Sequence, residues 1–307
     1  MADNHLIAKN TVFLYIRMLL SMGIYLYTTR VVLSILGVED YGIYNVVGGL
    51  VAMFSFLNAT MSGATSRFIT FELGKNSSKV QTVFSVALTI HIIIALIVFL
   101  IGETFGLWFL ENKLTIPATK MYEAKWLLQF SIVTMIFSFT QVPYNASIIA
   151  HEKMNIYAYF ELVNVGLKLL SVYLLLIIDA NKLIFYGAIV MLTQIGVTLL
   201  YRLYCTRKWE HCKFNLSLDR EFLRPLLSYS GWDLFGNASL VARTQGVNVL
   251  LNIFFGAILN AAAGIAMQVQ TAAMSFATNV MTAFRPQIVK TYAAKSYSEM
   301  INLISLG

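Results

Sequence analysis

The sequence predicts an all-α, polytopic membrane helix bundle of about eight transmembrane helices, six in a first lobe and two opening an incomplete second lobe. Three observations predict it. Hydrophobic residues make up 58% of the 307-residue chain and charged residues 12%, where soluble domains carry about 25% charged residues. Apolar runs recur along the whole length, and most reach the roughly 20 residues a helix needs to cross hydrocarbon. None alternates apolar with polar positions as a barrel strand would.

Crossings are expected over residues 10–36, 42–69, 81–110, 121–150, 156–178, 183–205, 222–256 and 260–284. The first two flank the hydrophilic turn VEDYG and read as a transmembrane hairpin. The seventh is too long for one straight crossing. Pro225 and the segment Ser228–Gly231 are expected to divide a short interfacial helix from the crossing proper. This gives a six-helix lobe over 1–205, a cytoplasmic loop over 206–221 and the start of a second lobe over 222–307. The closing EMINLISLG reads as the beginning of a further helix, so the chain is expected to be a shortened version of a longer transporter. The first apolar run is too long for a signal-peptide core and is expected to act as an uncleaved anchor.

Loop charges set the orientation. With the N-terminus in the cytoplasm, inner loops and ends hold fourteen of the 22 lysines and arginines, among them Lys75, Lys79, Lys153, Arg207 and Lys290. Outer loops hold five: Arg30, Lys113, Lys120, Lys125 and Lys182. The net charge of +7 then belongs to helix orientation and lipid contact, not to nucleic acid. The lipid bilayer is the expected partner.

Polar residues inside the spans fall in stripes. Asn10, Arg17, Ser21 and Thr28 share a face of the first span, with spacings of 7, 4 and 7. Glu161, Asn164 and Lys168 do so in the fifth. Asp233, Asn237, Thr244 and Asn248 do so in the seventh, flanked by Arg243 and Gln245; Gln268, Thr271, Ser275, Asn279 and Thr282 do so in the eighth. Any one of them can be an interhelical hydrogen bond, and Glu161 and Lys168 can neutralise each other two turns apart. A buried arginine is harder to place, costing about 2.5–3.5 kcal/mol at mid-membrane on insertion scales. For Arg17 and Arg243 a salt bridge to a neighbouring helix is one solution; a solvated cavity is the one expected here. Small residues at Gly48, Ala52, Ser55, Ala59 and Gly63 predict a close helix contact for the second span.

Little else in the chain carries chemistry. Cys205 and Cys212, with His211, read as free thiols in a cytoplasmic loop. No further ligands follow at metal-binding spacing, so neither metal nor cofactor is expected. His91 reads as a hydrogen-bonded core residue. The longest hydrophilic loop holds Glu210, Asp219 and Glu221 but no DxD, HExxH or glycine-rich phosphate motif. That speaks against a membrane-embedded glycosyltransferase or polymerase, and the chain is read as no enzyme. An internal echo also appears. GIYNVV at Gly42 precedes a helix expected to end at Arg67, and GIAMQV at Gly264 precedes one expected to end at Arg285, at offsets of 222 and 218. Two lobes of similar sense fit an axis along the membrane normal.

The stretches RMLLSMGIYLYTTRVVLSILGVEDYGIYNVVGG and FLNATMSGATSRFITFELGK resemble the opening hairpin of Wzx-type O-antigen and capsule flippases of the MOP superfamily. GWDLFGNASLVARTQGVNVLLNIFFGAILNAAAGIAMQVQ and FRPQIVKTYA resemble the seventh and eighth helices of that group. The resemblance implies two bundles around a central lumen, in a bacterial inner membrane. It implies translocation of an undecaprenyl-diphosphate-linked oligosaccharide for polysaccharide and lipopolysaccharide biosynthesis, with polysaccharide assembly proteins as further partners. It places Arg17 and Arg243 where lumen cations would meet the diphosphate. Asn237, Asn248 and Gln268 are the other expected lumen residues. Asp233, Glu161 and Lys168 are the candidates for ion coupling, since a carboxylate in low dielectric titrates near neutral pH. Alternatives are a MATE-type multidrug or cation antiporter, a lipid II flippase and a non-transporting scaffold.

Overall fold

The computed structural model describes residues 4–239 apart from 53, 76, 77, 115, 179, 180, 233 and 238, then 270, 274, 278, 281, 282 and 284–306. Every regular element among them is helical. The first, α1 (Asn4–Ala52), is two helices joined at Gly37, where φ is 80° and ψ 170°. Glycine enters that region without a Cβ penalty, so the helix breaks there and the chain turns back. Leu14 packs on Met154, close in sequence to Glu152, which bonds Lys290. The end of the returning arm, Gly74, also lies against Lys290. The expected turn VEDYG is therefore not a loop; its residues are helical. Asp40, in the first turn of the returning arm, complements the helix dipole and takes the Lys120 Nζ at 2.7 Å.

The returning arm is itself interrupted. The helix stops short of Phe54 and resumes as α2 (Ser55–Gly74). The expected unbroken span 42–69 is thus two pieces, and the second runs past Arg67 to Gly74. The small-residue stripe splits with it. Gly48 faces open space rather than a close helix contact, whereas the Gly63 carbonyl accepts a hydrogen bond from Arg285 at 3.4 Å.

The remaining helices follow the expected spans closely. α3 (Val80–Ile101) continues through a π-helical turn, Gly102–Gly106, into α4 (Leu107–Asn112). Then come α5 (Met121–Ala150), α6 (Met154–Ile177) and α7 (Lys182–Lys208). The Asn181 side chain starts α7 by accepting from the Ile184 N–H at 3.2 Å. α8 covers 220–232 and is helical through Ser228–Gly231, so the expected break there is absent. α9 covers 284–293, so that helix runs past Arg285. α10 is Tyr297–Leu306.

Among the described residues, five helices are long and apolar enough to cross a membrane: Val12–Gly37, Val80–Asn112, Ala118–Ala150, Met154–Ile177 and Lys182–Lys208. They answer the first, third, fourth, fifth and sixth expected crossings. The turn at Phe54 falls within the second. The seventh and eighth fall largely outside the described residues. The chain is an all-α polytopic bundle with apolar side chains such as Leu96, Leu100, Leu176 and Leu192 on its outer surface.

α5 is the hub, packing on α1, α2, α3, α6 and α7. Small residues permit this. A Cβ on Gly102 would lie 2.7 Å from Ile132 Cδ1, and one on Gly187 would lie 2.6 Å from Leu127 Cδ2 and 3.1 Å from Phe130 Cδ2. Ion pairs sort to the two ends. Lys120–Asp40 and Lys125–Glu111 sit at one end, and Lys79–Glu221 and Lys290–Glu152 at the other. Overpacking a filled contact costs about 1–3 kcal/mol. Gly187→Val is therefore expected to lower the thermal unfolding midpoint in detergent, while Gly166→Val, where a Cβ meets nothing, leaves it near the parental value.

Candidate functional site

The site lies on the seam between α1 and α6. Phe13 meets Tyr159 edge to face at 6.0 Å, and the Tyr27 and Tyr173 hydroxyls lie 3.4 Å apart. Both pairs are 146 residues apart, so the two helices run parallel in constant register. Parallel neighbours in an up-down bundle must have an odd number of crossings between them, which agrees with the three expected between the first and fifth spans.

Between those two aromatic contacts the seam turns polar. Arg17 is half-buried; its Nη1 donates to the Tyr157 hydroxyl at 3.1 Å, and its Cζ lies 4.8 Å from the Tyr157 ring centroid. A cation over an aromatic face gains about 0.5–2 kcal/mol as it desolvates.

Mid-depth is occupied by a cavity of about 280 Å³. α1 contributes Ser21, Tyr25 and Thr28, and α6 contributes Glu161, Val165 and Lys168. Two of the expected stripes thus face each other across one hollow. Lys168 is exposed and Glu161 half-buried. Both line the cavity, and among the described residues no ion pair joins them. Thr28 donates to the Tyr25 carbonyl at 2.9 Å.

Sequence reasoning missed Tyr157. It lies four residues before Glu161, so the stripe Glu161, Asn164, Lys168 extends one turn back to it; a phenol inside an apolar run gave no charge to draw the eye. A second hollow of about 300 Å³ between α1, α5 and α7 was also missed. Tyr44, Gly48, Ser131, Thr134, Ser138 and Gln194 are among its lining. Asn58 donates to Ser138 at 2.8 Å and Gln194 to Gln141 at 2.9 Å beside it.

The other expected residues do not all join the site. Asn237 donates to the Thr60 hydroxyl at 3.0 Å, tying its helix to α2. Arg243, Asn248, Gln268 and Asp233 lie outside the described residues. The Asn10 side chain does too.

At the end of the bundle reached by the 75–79 and 206–221 connections, ring systems stack. His151 lies 4.1 Å from Trp209 and 5.1 Å from His211, centroid to centroid. Cys205 and Cys212 are free thiols, as expected, and fully buried, Cys205 at the end of α7; Cys205 donates to the Tyr144 carbonyl at 3.5 Å. Among the described residues no cluster of three His, Cys, Asp or Glu side chains could hold a metal ion. His91 donates from Nδ1 to the Ala87 carbonyl at 2.7 Å, the expected core hydrogen bond.

Burial pushes His151 down to about 4, opposed by its bond to the Ser147 carbonyl. An unfolded histidine titrates near 6.5, so between those values the unfolded chain takes up a proton that the folded chain refuses. Stability from this group is full above pH 6.5 and falls as pH drops to about 4. His151→Phe keeps a stacking ring without the titration; its unfolding midpoint is expected to fall less steeply than the parent's across that window.

No family model matches the sequence, and no curated protein does. Solved structures do. One, described as the outward-facing conformation of a multidrug resistance MATE family transporter of the MOP superfamily, superposes with a TM-score of 0.80 at 14% identity, over 96% of this chain and 67% of that one. A MOP superfamily transporter from Pyrococcus furiosus, described by a binding pocket of reverse polarity suggesting a different function, gives 0.77 at 15% identity over 96% and 67%. A third, described as "protein A", gives 0.80 at 19% identity over 100% and 69%. The fold is similar to that of these solved MOP superfamily transporters, several of them described as MATE, and this chain spans about two thirds of their length.

Proposed function

We propose that this chain is a MATE-type exporter, moving an amphipathic solute out of the cell by rocking of two bundles under a cation gradient. The observation that carries the reading is fold correspondence along nearly the whole chain with proteins described as MATE transporters. In this reading Glu161 holds the coupling cation in the α1–α6 cavity, Lys168 two turns along the same helix tunes its charge, and Tyr25 meets the solute. The protein sits in a bacterial inner membrane with its N-terminus in the cytoplasm, as the loop charges favour.

A second reading is favoured by the polarity of the seam. Arg17 and Lys168 bring two cations against one carboxylate, Glu161. That balance suits an anionic group, as in an undecaprenyl-diphosphate-linked oligosaccharide or lipid II, with arginine binding phosphate oxygens in pairs. Arg243, Asn248 and Gln268 would supply the facing wall, Asp233 a further coupling carboxylate, and assembly proteins would deliver the lipid.

Proteoliposomes carrying the chain separate the two. Under an imposed proton or sodium gradient a cationic dye is expected to accumulate, and Glu161→Gln to slow uptake about tenfold. No gradient-driven dye movement, together with transfer of an undecaprenyl-diphosphate-linked saccharide that Arg17→Ala abolishes, would replace the first reading with the second.

A further inference from the structure

At the end of the bundle richest in lysine and arginine, four contacts join the first lobe to residues 285–293, one of them the Phe71–Tyr292 ring pair at 6.4 Å. The Glu152 carboxylate accepts from Gln287 Nε2 at 2.9 Å and from Lys290 Nζ at 2.7 Å. A Cβ on Gly74 would lie 2.9 Å from both Ala293 Cβ and Lys290 Cα. Arg285 reaches the Gly63 carbonyl. The contacting pairs 74/293 and 63/285 are 219 and 222 residues apart, close to the 222 and 218 of the internal echo. Equivalent positions of two repeats meet only near the axis that relates them, so these contacts mark the line on which two lobes would rock.

We propose that Glu152, Gln287 and Lys290 form a latch that holds this end shut, and that its release opens the solute path from this side. The proposal rests on the alternating-access reading above. Its construction suits a contact that must break. Glu152 lies in the two-helix turn between α5 and α6 with φ of 59°, a left-handed backbone that rigidly aims its carboxylate. It is 9% exposed, and Lys290 is 31% exposed. A hollow of about 420 Å³ lies beside the pair, lined by His151, Lys290, Thr291 and Ser296 among others. Water can enter there and replace each hydrogen bond as the lobes part, which an apolar seal would not allow.

The test is labelling of Ser296→Cys by a membrane-impermeant maleimide, in the full chain in nanodiscs. The parental chain, whose two cysteines are buried, gives the background. Glu152→Lys and Lys290→Glu are each expected to raise the labelling rate about tenfold. The double variant Glu152→Lys/Lys290→Glu restores the ion pair reversed and returns the rate toward the parent's. Gly74→Val wedges the same closure without altering charge and also raises it. Rates in the single variants within about twofold of the parent overturn the latch, as does a double variant as fast as the singles. The readout needs no transport, so absent dye uptake would count against the exporter and leave the latch untouched.

Discussion

Inside hydrocarbon every polar group must find its partner within the protein, because no water is there to supply one. That constraint sorts the polar residues of the spans into two kinds. Hydroxyls satisfy themselves on their own helix: Thr70 donates to the Ser66 carbonyl, Thr89 to Ser85 and Thr134 to Phe130, each one turn back. His91 does the same with Ala87. Arg17, Glu161 and Lys168 are too long and too charged for that solution. They collect on the α1–α6 seam, where two parallel helices leave a hollow.

The hollow exists because α5 takes the centre of the bundle. Close contacts at Gly102 and Gly187 draw α3 and α7 onto it, and α1 and α6 pair alongside. Aromatic contacts pin that pair at two points, Phe13 with Tyr159 and Tyr27 with Tyr173. Between the pins the side chains are mixed in size and polarity, and a hollow of about 280 Å³ lies among them. A cleft held open at fixed register lets Glu161 and Lys168 face open space without requiring the bundle to deform.

The two ends of the molecule are built differently. At one, Asp40 and Lys120 hold the break at Gly37 against the start of α5. At the other, the first lobe grips residues 285–293 through a carboxylate, a carbonyl and a glycine contact. Apolar contact carries the lobe interior, whereas the meeting with residues 285–293 mixes ion-pair, hydrogen-bond, ring and glycine contacts.

Hydrophobic runs alone located most of the crossings. The span expected at 121–150 coincides with α5 to the residue, because a helix in lipid begins and ends where apolar side chains do. The facing stripes on α1 and α6 were legible for the same reason: helical period and charge are both written in sequence. The turn at Phe54 was not legible, since no proline or glycine marks it. Tyr157 as the partner of Arg17, the burial of Cys205 and Cys212 and the pairing of Glu152 with Lys290 depend on residues up to 140 positions apart. A sequence states which groups cannot stay in lipid unaided; which neighbour relieves each of them is decided when helices pack, because that choice depends on register and crossing geometry that no single segment contains.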